Sequence, residues 1–167
     1  MQSDHQRMDA SDSQEILRSD HARLDALFEE LLDDFADGHQ REIRSAWTEF
    51  DRSLLVHLDT EERFILPRFE RVNPAETAAL RAEHARIRRL LGELGVGVDL
   101  HLVRLELARE FIDLLRAHAR REDTLLYLWA ASDLDATARV AVARKLLPPL
   151  PREGKAPTPP PGRSDHG

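Results

Sequence analysis

The sequence contains no cysteine, which excludes disulfide bonds, thiolate metal sites, iron–sulfur clusters and cysteine nucleophiles. Aromatic residues make up only 5 % of the 167 residues, and runs of β-branched residues are scarce. Leucine, alanine, arginine and glutamate are abundant instead, and this composition favours helix over strand. We therefore expect an all-α protein, and a chain of this length supports one domain.

Long apolar runs and a basic excess are also missing. No stretch approaches the ~18 apolar residues that span a bilayer, and the polar segment from Met1 to Gln14 lacks the apolar region of a signal peptide. The formal net charge of −7 disfavours binding to phosphate backbones and anionic lipid. We expect a cytoplasmic protein, a monomer or weak homo-oligomer, that binds neither nucleic acid nor membranes. Neither a Gly-x-Ser-x-Gly turn nor a glycine-rich phosphate loop is present, which disfavours hydrolase and nucleotide-binding functions.

Apolar residues recur at helical spacing through most of the chain and predict four long helices and a short fifth one. The predicted helices are residues 13–37, 40 to about 67, 74–94, 101–131 and 135–147. Gly38, Gly95 and Gly97 are expected to end helices, and Asn73 and Asp135 to cap them. Short connections between long helices imply an up-down-up-down antiparallel four-helix bundle. We expect residues 1–12 to be a disordered lead and residues 148–167, with seven of the nine prolines, a disordered tail.

Six ionisable residues fall on the apolar faces of these helices. His21 lies between Leu17 and Leu24 on the first helix, and His84 between Leu80 and Ile87 on the third. The inward-facing series of the second helix is Trp47, Phe50, Leu54, His57, Glu61 and Phe64, and that of the fourth is Phe111, Leu114, His118, Glu122, Leu125 and Trp129. The steps of three and four residues place all six ionisable side chains in the predicted core.

The two halves of the chain repeat one another. Residues 20–31 (DHARLDALFEEL) align with residues 83–94 (EHARIRRLLGEL), and residues 57–66 (HLDTEERFIL) align with residues 118–127 (HARREDTLLY). Each half therefore has a helix with one histidine followed by a helix with His-x-x-x-Glu. Two such hairpins packed face to face would bring the six residues together about a pseudo-two-fold axis.

Two carboxylates in one small core predict a metal site. An unpaired buried carboxylate costs several kcal/mol, and no inward-facing lysine or arginine is evident to neutralise the pair. Histidine and carboxylate ligands suit iron, manganese or zinc, and carboxylates can bridge two ions about 3.5–4 Å apart. We predict that His21 and His57 bind one ion, that His84 and His118 bind the other, and that Glu61 and Glu122 bridge them. A single seam histidine is more often an ordinary core residue, but a repeated set of six favours metal.

This ordered set resembles the hemerythrin-like family, the His-His-Glu cation-binding domain. The family pattern is a lone His, a His-x-x-x-Glu followed by a second acid, another His, and a last His with a carboxylate. The matching residues are His21, H57-LDT-E61-E62, His84 and H118-ARR-E122-D123, with Pro67 after the second-helix motif. The resemblance covers residues 13–131. It implies two non-haem iron ions, bridged by carboxylates and an oxo or hydroxo group, that bind dioxygen, hydrogen peroxide or nitric oxide.

The sequence departs from the oxygen-carrying members in two places. Those members have two histidines one turn apart on the third helix, whereas Leu80 and Arg88 flank His84 here. Their last carboxylate is an Asp five residues after the final histidine, whereas Glu122 follows His118 by four. The resemblance therefore implies one imidazole fewer and an open coordination position. Tyr127 and Glu62 are candidate additional ligands, although both lie off the seams, that is, off the predicted apolar faces of their helices.

The open position makes peroxide chemistry or gas binding a better match to this sequence than simple oxygen carriage. One interpretation is a di-iron protein that binds or reacts with dioxygen or peroxide, with a catalase-like or peroxidase-like activity. The alternative is an oxygen- or nitric oxide-sensing or iron-storage module without turnover, and a structural zinc or manganese site is a third interpretation. The sequence leaves open whether the protein is an enzyme.

Overall fold

A computed structural model describes residues 3–38 and 40–147, with the side chains of residues 13–38 and 41–147. These residues form helices joined by short loops, and one π-helical turn interrupts the second long helix. The elements are α1 (Ser3–Asp37), α2 (Gln40–Thr60), the π turn (Glu61–Ile65), α3 (Leu66–Phe69), α4 (Pro74–Asp99), α5 (Leu105–Thr124), α6 (Leu126–Asp133) and α7 (Ala136–Leu146).

These elements build four long rods and a short fifth helix, as the sequence predicts. The first rod is α1 and the third is α4. The second rod runs through α2, the π turn and α3, and the fourth runs through α5 and α6. Helix α1 packs against α2 and α5, and α4 packs against the same two helices, which closes the bundle. Helix α7 packs against α1, α2 and the π turn at one end. The predicted all-α bundle with a short C-terminal helix is confirmed.

The core consists of two apolar clusters with a polar layer between them. The larger cluster includes Phe28, Phe50 and Phe111, and the smaller cluster includes Leu17, Ile65, Leu66, Leu80 and Leu126. On each rod the predicted metal-site residues lie in the chain between members of the two clusters. Packing on both sides therefore keeps water away from the polar layer.

Three predicted helix ends are confirmed by their backbone geometry. Gly38 has a φ of 75°, the left-handed conformation that favours glycine, and its N–H donates to Asp34 O at 2.9 Å. The Asn73 side chain accepts a hydrogen bond from the Glu76 N–H at 3.2 Å. Asp135 caps α7 in the same way, with the Ala138 N–H at 2.9 Å.

Other boundaries differ from the prediction. Helix α1 begins at Ser3 rather than near residue 13, since residues 3–12 contain no glycine or proline to break it. Helix α4 passes through Gly95 and Gly97 to Asp99, and α5 begins only at Leu105. A Cβ at Gly95 would lie 3.4 Å from the Trp47 ring and one at Gly97 3.4 Å from Leu102 O, which are ordinary contact distances, so an L-residue fits at both helical positions. The predicted disordered tail, residues 148–167, lies outside the described residues.

The helical register changes at two places: Phe64 is only partly buried, although it still packs against the smaller cluster, and the prediction that Leu125 faces the core is wrong. In the π turn the Leu66 N–H bonds to Glu61 O, and this wider turn leaves Phe64 half-buried while Ile65 and Leu66 are fully buried. The fourth rod breaks at Leu125, whose φ of −125° and ψ of −67° are not helical. Leu125 is therefore 47 % exposed instead of facing the core. The π turn begins at the glutamate of one His-x-x-x-Glu motif, and the break at Leu125 lies within one turn of the glutamate of the other.

Candidate metal centre

The structure brings all six predicted residues into two overlapping clusters. Each residue in a cluster offers one ligand atom, and these atoms lie within 4.8 Å of one another. The first cluster is His21, His57, Glu61 and Glu122, and the second is Glu61, His84, His118 and Glu122. The two glutamates belong to both clusters, which matches the predicted pairing of the histidines.

Each pair of histidines comes from two neighbouring rods. The His21 and His57 rings, from α1 and α2, have centroids 4.7 Å apart. The His84 and His118 rings, from α4 and α5, have centroids 4.9 Å apart. The similar spacing in the two halves is what the sequence repeat predicts. All four imidazoles direct Nε2 towards the glutamates.

Each glutamate extends one carboxylate oxygen to each pair of histidines. Glu122 Oε2 lies 3.2 Å from His21 Nε2, whereas Glu122 Oε1 lies 3.1 Å from His118 Nε2. Glu61 Oε1 lies 3.5 Å from His57 Nε2, and Glu61 Oε2 lies 3.5 Å from His84 Nε2. Both glutamates are fully buried. This is the arrangement of two carboxylates that can bridge a pair of cations.

Carboxylates also hold the outer nitrogens of the imidazoles. Asp20 Oδ2 lies 2.8 Å from His57 Nδ1, and Glu83 Oε2 lies 2.7 Å from His118 Nδ1. Asp20 and Glu83 are equivalent in the sequence repeat, since each directly precedes the single histidine of its half. A carboxylate on Nδ1 makes Nδ1 the protonated nitrogen and leaves the Nε2 lone pair free for a cation.

The acids that follow the glutamates face the other two histidines. Glu62 Oε1 lies 2.9 Å from His84 Nδ1, whereas Asp123 Oδ1 lies 3.5 Å from His21 Nδ1 and makes no hydrogen bond with it. Glu62 is therefore placed to orient His84 rather than to act as the additional ligand considered from the sequence. Sequence reasoning did not assign this role to any of the four outer acids. The signal was available, because each pair occupies aligned positions of the repeat.

Tyr127 is inside the site, so the prediction that it lies off the seam is wrong. It is fully buried, and its hydroxyl donates to Glu61 Oε1 and lies 3.0 Å from His21 Nε2. The reason is the break at Leu125, which shifts the register of α6 relative to α5 and turns position 127 inward. Burial and the neighbouring carboxylates of Glu61 and Glu122 raise the pKa of Tyr127 well above its ordinary value.

Imidazoles and carboxylates shift the pKa of one another. Burial lowers the pKa of His118, but the Glu122 and Glu61 carboxylates outweigh it and raise the pKa to about 9. Burial acts on His57 in the same way, and Glu61 again outweighs it and raises the pKa well above its ordinary value. Burial raises the pKa of Glu122, but His118 outweighs it and keeps the pKa well below the usual range. A cation that binds here therefore displaces protons from the imidazoles.

The donor set fits a pair of cations. Among the described residues, four buried side-chain atoms make no hydrogen bond, and all belong to this site: Glu61 Oε2, His118 Nε2, His21 Nδ1 and Asp123 Oδ1. Among the described residues no lysine or arginine is buried, so no buried lysine or arginine neutralises Glu61 and Glu122. Imidazole nitrogens and carboxylate oxygens suit iron, manganese and zinc alike. Of the histidines not assigned to the site, His101 is exposed as expected, and the side chains of the other three lie outside the described part.

A small apolar cavity adjoins His21, His57 and His118. Its volume is about 50 Å³, and its apolar walls are Leu24, Leu54, Leu58, Ile112 and Leu115. Arg116 and Asp25 also line it, are partly exposed and pair at 2.7 Å between Nε and Oδ1. This ion pair lies between the cavity and solvent. An apolar space of this size suits a small uncharged molecule better than an ion.

Comparison with known families agrees with this geometry. A family model described as the hemerythrin HHE cation-binding domain matches residues 12–145, which is most of the chain. The chain belongs to this family. The curated proteins and the solved structures with which the chain was compared gave no match. Family membership implies cation binding, and the two His/Glu clusters are the part of this chain that can provide it. None of the described helices is both long enough and apolar enough to cross a membrane.

Proposed function

We propose that the protein holds two iron ions on His21, His57, Glu61, His84, His118 and Glu122, and that it binds or reacts with dioxygen. The observation that carries the proposal is that Glu61 and Glu122 each extend one oxygen to either histidine pair. Two iron ions would supply paired one-electron chemistry for dioxygen or its reduced products. Iron is proposed because of the family match, since the same donors also suit manganese and zinc.

The cavity supports dioxygen or nitric oxide as the molecule that enters the site. Its apolar walls are mainly leucine and isoleucine side chains that offer no hydrogen bond, and it adjoins three of the proposed ligands, His21, His57 and His118. Apolar cavities bind small apolar molecules and stay dry. The chain itself then contributes entry for the gas, exclusion of water and fixed imidazole positions.

Peroxide breakdown is the second candidate function. The specific observation in its favour is Tyr127, whose hydroxyl lies beside both Glu61 and His21. A buried proton donor at this place suits the cleavage of an oxygen–oxygen bond, because the leaving oxygen needs a proton. Sensing or storage without turnover, a cytoplasmic location and a monomeric state remain predictions.

The function is tested by exposing the reduced, iron-loaded protein to dioxygen and following its visible spectrum by stopped flow. We expect a spectral change whose rate rises with dioxygen concentration. Ala119 lines the cavity and Ala117 faces solvent on the same helix. Ala119→Leu, which fills the cavity, is expected to slow the reaction at least about ten-fold, and Ala117→Leu is the matched control. An iron-loaded protein that does not respond to dioxygen but evolves oxygen from peroxide would favour the second candidate.

The outer carboxylates give a paired prediction about cation affinity. Asp20→Asn and Glu83→Gln each keep the size of the side chain but weaken the support of one imidazole, His57 or His118. We expect each variant to bind the cation next to the affected imidazole about 10–100-fold less tightly, as measured by competition with a chelator. Glu110→Gln, an exposed acid paired with Arg86, is the control. Unchanged affinity in both variants would show that these acids do not support the ligands.

A further inference from the structure

Tyr127 lies among the donor atoms of one proposed cation site only. Its hydroxyl donates to Glu61 Oε1, and it is 3.0 Å from His21 Nε2. It is also 3.4 Å from His57 Nε2 and 3.4 Å from Glu122 Oε2. These are atoms of all four residues in the first cluster. The His21 ring also stacks on the tyrosine ring, with centroids 5.2 Å apart and planes inclined by 26°.

The second cluster has no phenol at the equivalent place. In the repeat that aligns residues 57–66 with residues 118–127, Leu66 corresponds to Tyr127. Leu66 is fully buried in the smaller core cluster and carries no donor atom. The two halves are therefore matched in their histidines, glutamates and outer acids, and differ at this position.

We propose that Tyr127 is a fifth protein ligand to the cation held by His21 and His57, which makes the two cations chemically unequal. This inference rests on the proposed function. The phenol releases its proton to solvent, and its oxygen forms the bond to the cation. A multivalent cation is the largest local charge in such a site and favours the phenolate over the phenol. The hard oxygen of a phenolate stabilises the ferric form, so the His21 and His57 site is the one more easily oxidised.

Because Tyr127 is the only tyrosine, spectroscopy of the whole protein reports on it alone. The protein is loaded with ferric iron, its iron content is measured, and visible absorption and resonance Raman spectra are recorded. We expect two irons per chain, a tyrosinate-to-iron charge-transfer band in the visible region, and tyrosinate ring vibrations that shift on labelling with deuterated tyrosine. Tyr127→Phe is expected to lose both signals. Trp129→Phe, on the same helix, is expected to keep them.

The outcomes separate this inference from the proposed function. Two irons per chain with no tyrosinate signal in the unmodified protein would overturn the ligand assignment and leave the di-iron proposal standing. Fewer than two irons in that protein would contradict the di-iron proposal itself. The Raman measurement on the unmodified protein decides the matter even if Tyr127→Phe folds poorly.

Discussion

Replacing Glu122 by glutamine is expected to lower the cation content from about two ions per chain to well under one. Glu122 is fully buried, and its two oxygens approach His21 on one side and His84 and His118 on the other. The amide removes the charge and replaces one of these oxygens by an NH2 group that binds no cation, so one cation loses a ligand and the other keeps only a neutral, weaker one. Elemental analysis of the purified protein measures the effect.

Thermal unfolding provides a second measurement on the same variant. A cation present at about a thousand times its Kd adds about 4 kcal/mol to the free energy of unfolding. For a domain of this size that corresponds to a rise in Tm of about 8–16 °C for each cation. We expect the rise in the unmodified protein and its loss in Glu122→Gln. Glu106→Gln replaces an exposed glutamate on the same helix and serves as the control. A Glu122→Gln protein that still binds two cations would contradict the bridging role.

Truncation of Phe111 to alanine is expected to cost about 3–5 kcal/mol of stability. Phe111 is fully buried in the larger core cluster, and its ring lies 5.2 Å from Phe28 and 6.2 Å from Phe50, centroid to centroid. The loss combines the transfer of the ring to water with the cavity left behind. Urea unfolding of the cation-free protein measures it.

The control for this variant is Leu102→Ala, because Leu102 is 71 % exposed and its truncation should change stability by less than about 0.5 kcal/mol. Below its lowered Tm, Phe111→Ala is expected to retain its cations, since no side chain of the two His/Glu clusters is altered. A cost below about 1 kcal/mol would contradict the description of a packed aromatic core beneath the polar layer.

The bundle and the six clustered residues could be predicted from the sequence because both depend on helical periodicity. A regular helix places residues three and four positions apart on one face, so His57 and Glu61 had to lie together. The repeat then indicated which pairs would meet. His21 with His57, and His84 with His118, are the pairs that the structure brings together.

The same assumption of regular helices explains the errors. A π turn after Glu61 and a break at Leu125 each change the register, and periodicity does not predict where such changes occur. Pro67 and the repeat indicated that the helix becomes irregular near each His-x-x-x-Glu motif. They did not indicate that Leu125 would turn outward and Tyr127 inward.

The outer acids could not be recognised from periodicity for a different reason. Asp20 and Glu83 each lie one position before a seam histidine and reach sideways to the histidine of a neighbouring helix. Such contacts depend on how helices pack, and the positions of one helix wheel do not contain that information. The repeat of an acid in both halves was the one available signal.

The central claim is that two cations lie between Glu61 and Glu122, and anomalous X-ray diffraction from crystals of the metal-loaded protein tests it most directly. Data collected at the iron absorption edge are predicted to show two peaks about 3.5–4 Å apart. One peak should adjoin His21 and His57 and the other His84 and His118. A single peak, or peaks elsewhere on the protein with none between the two glutamates, would contradict the account.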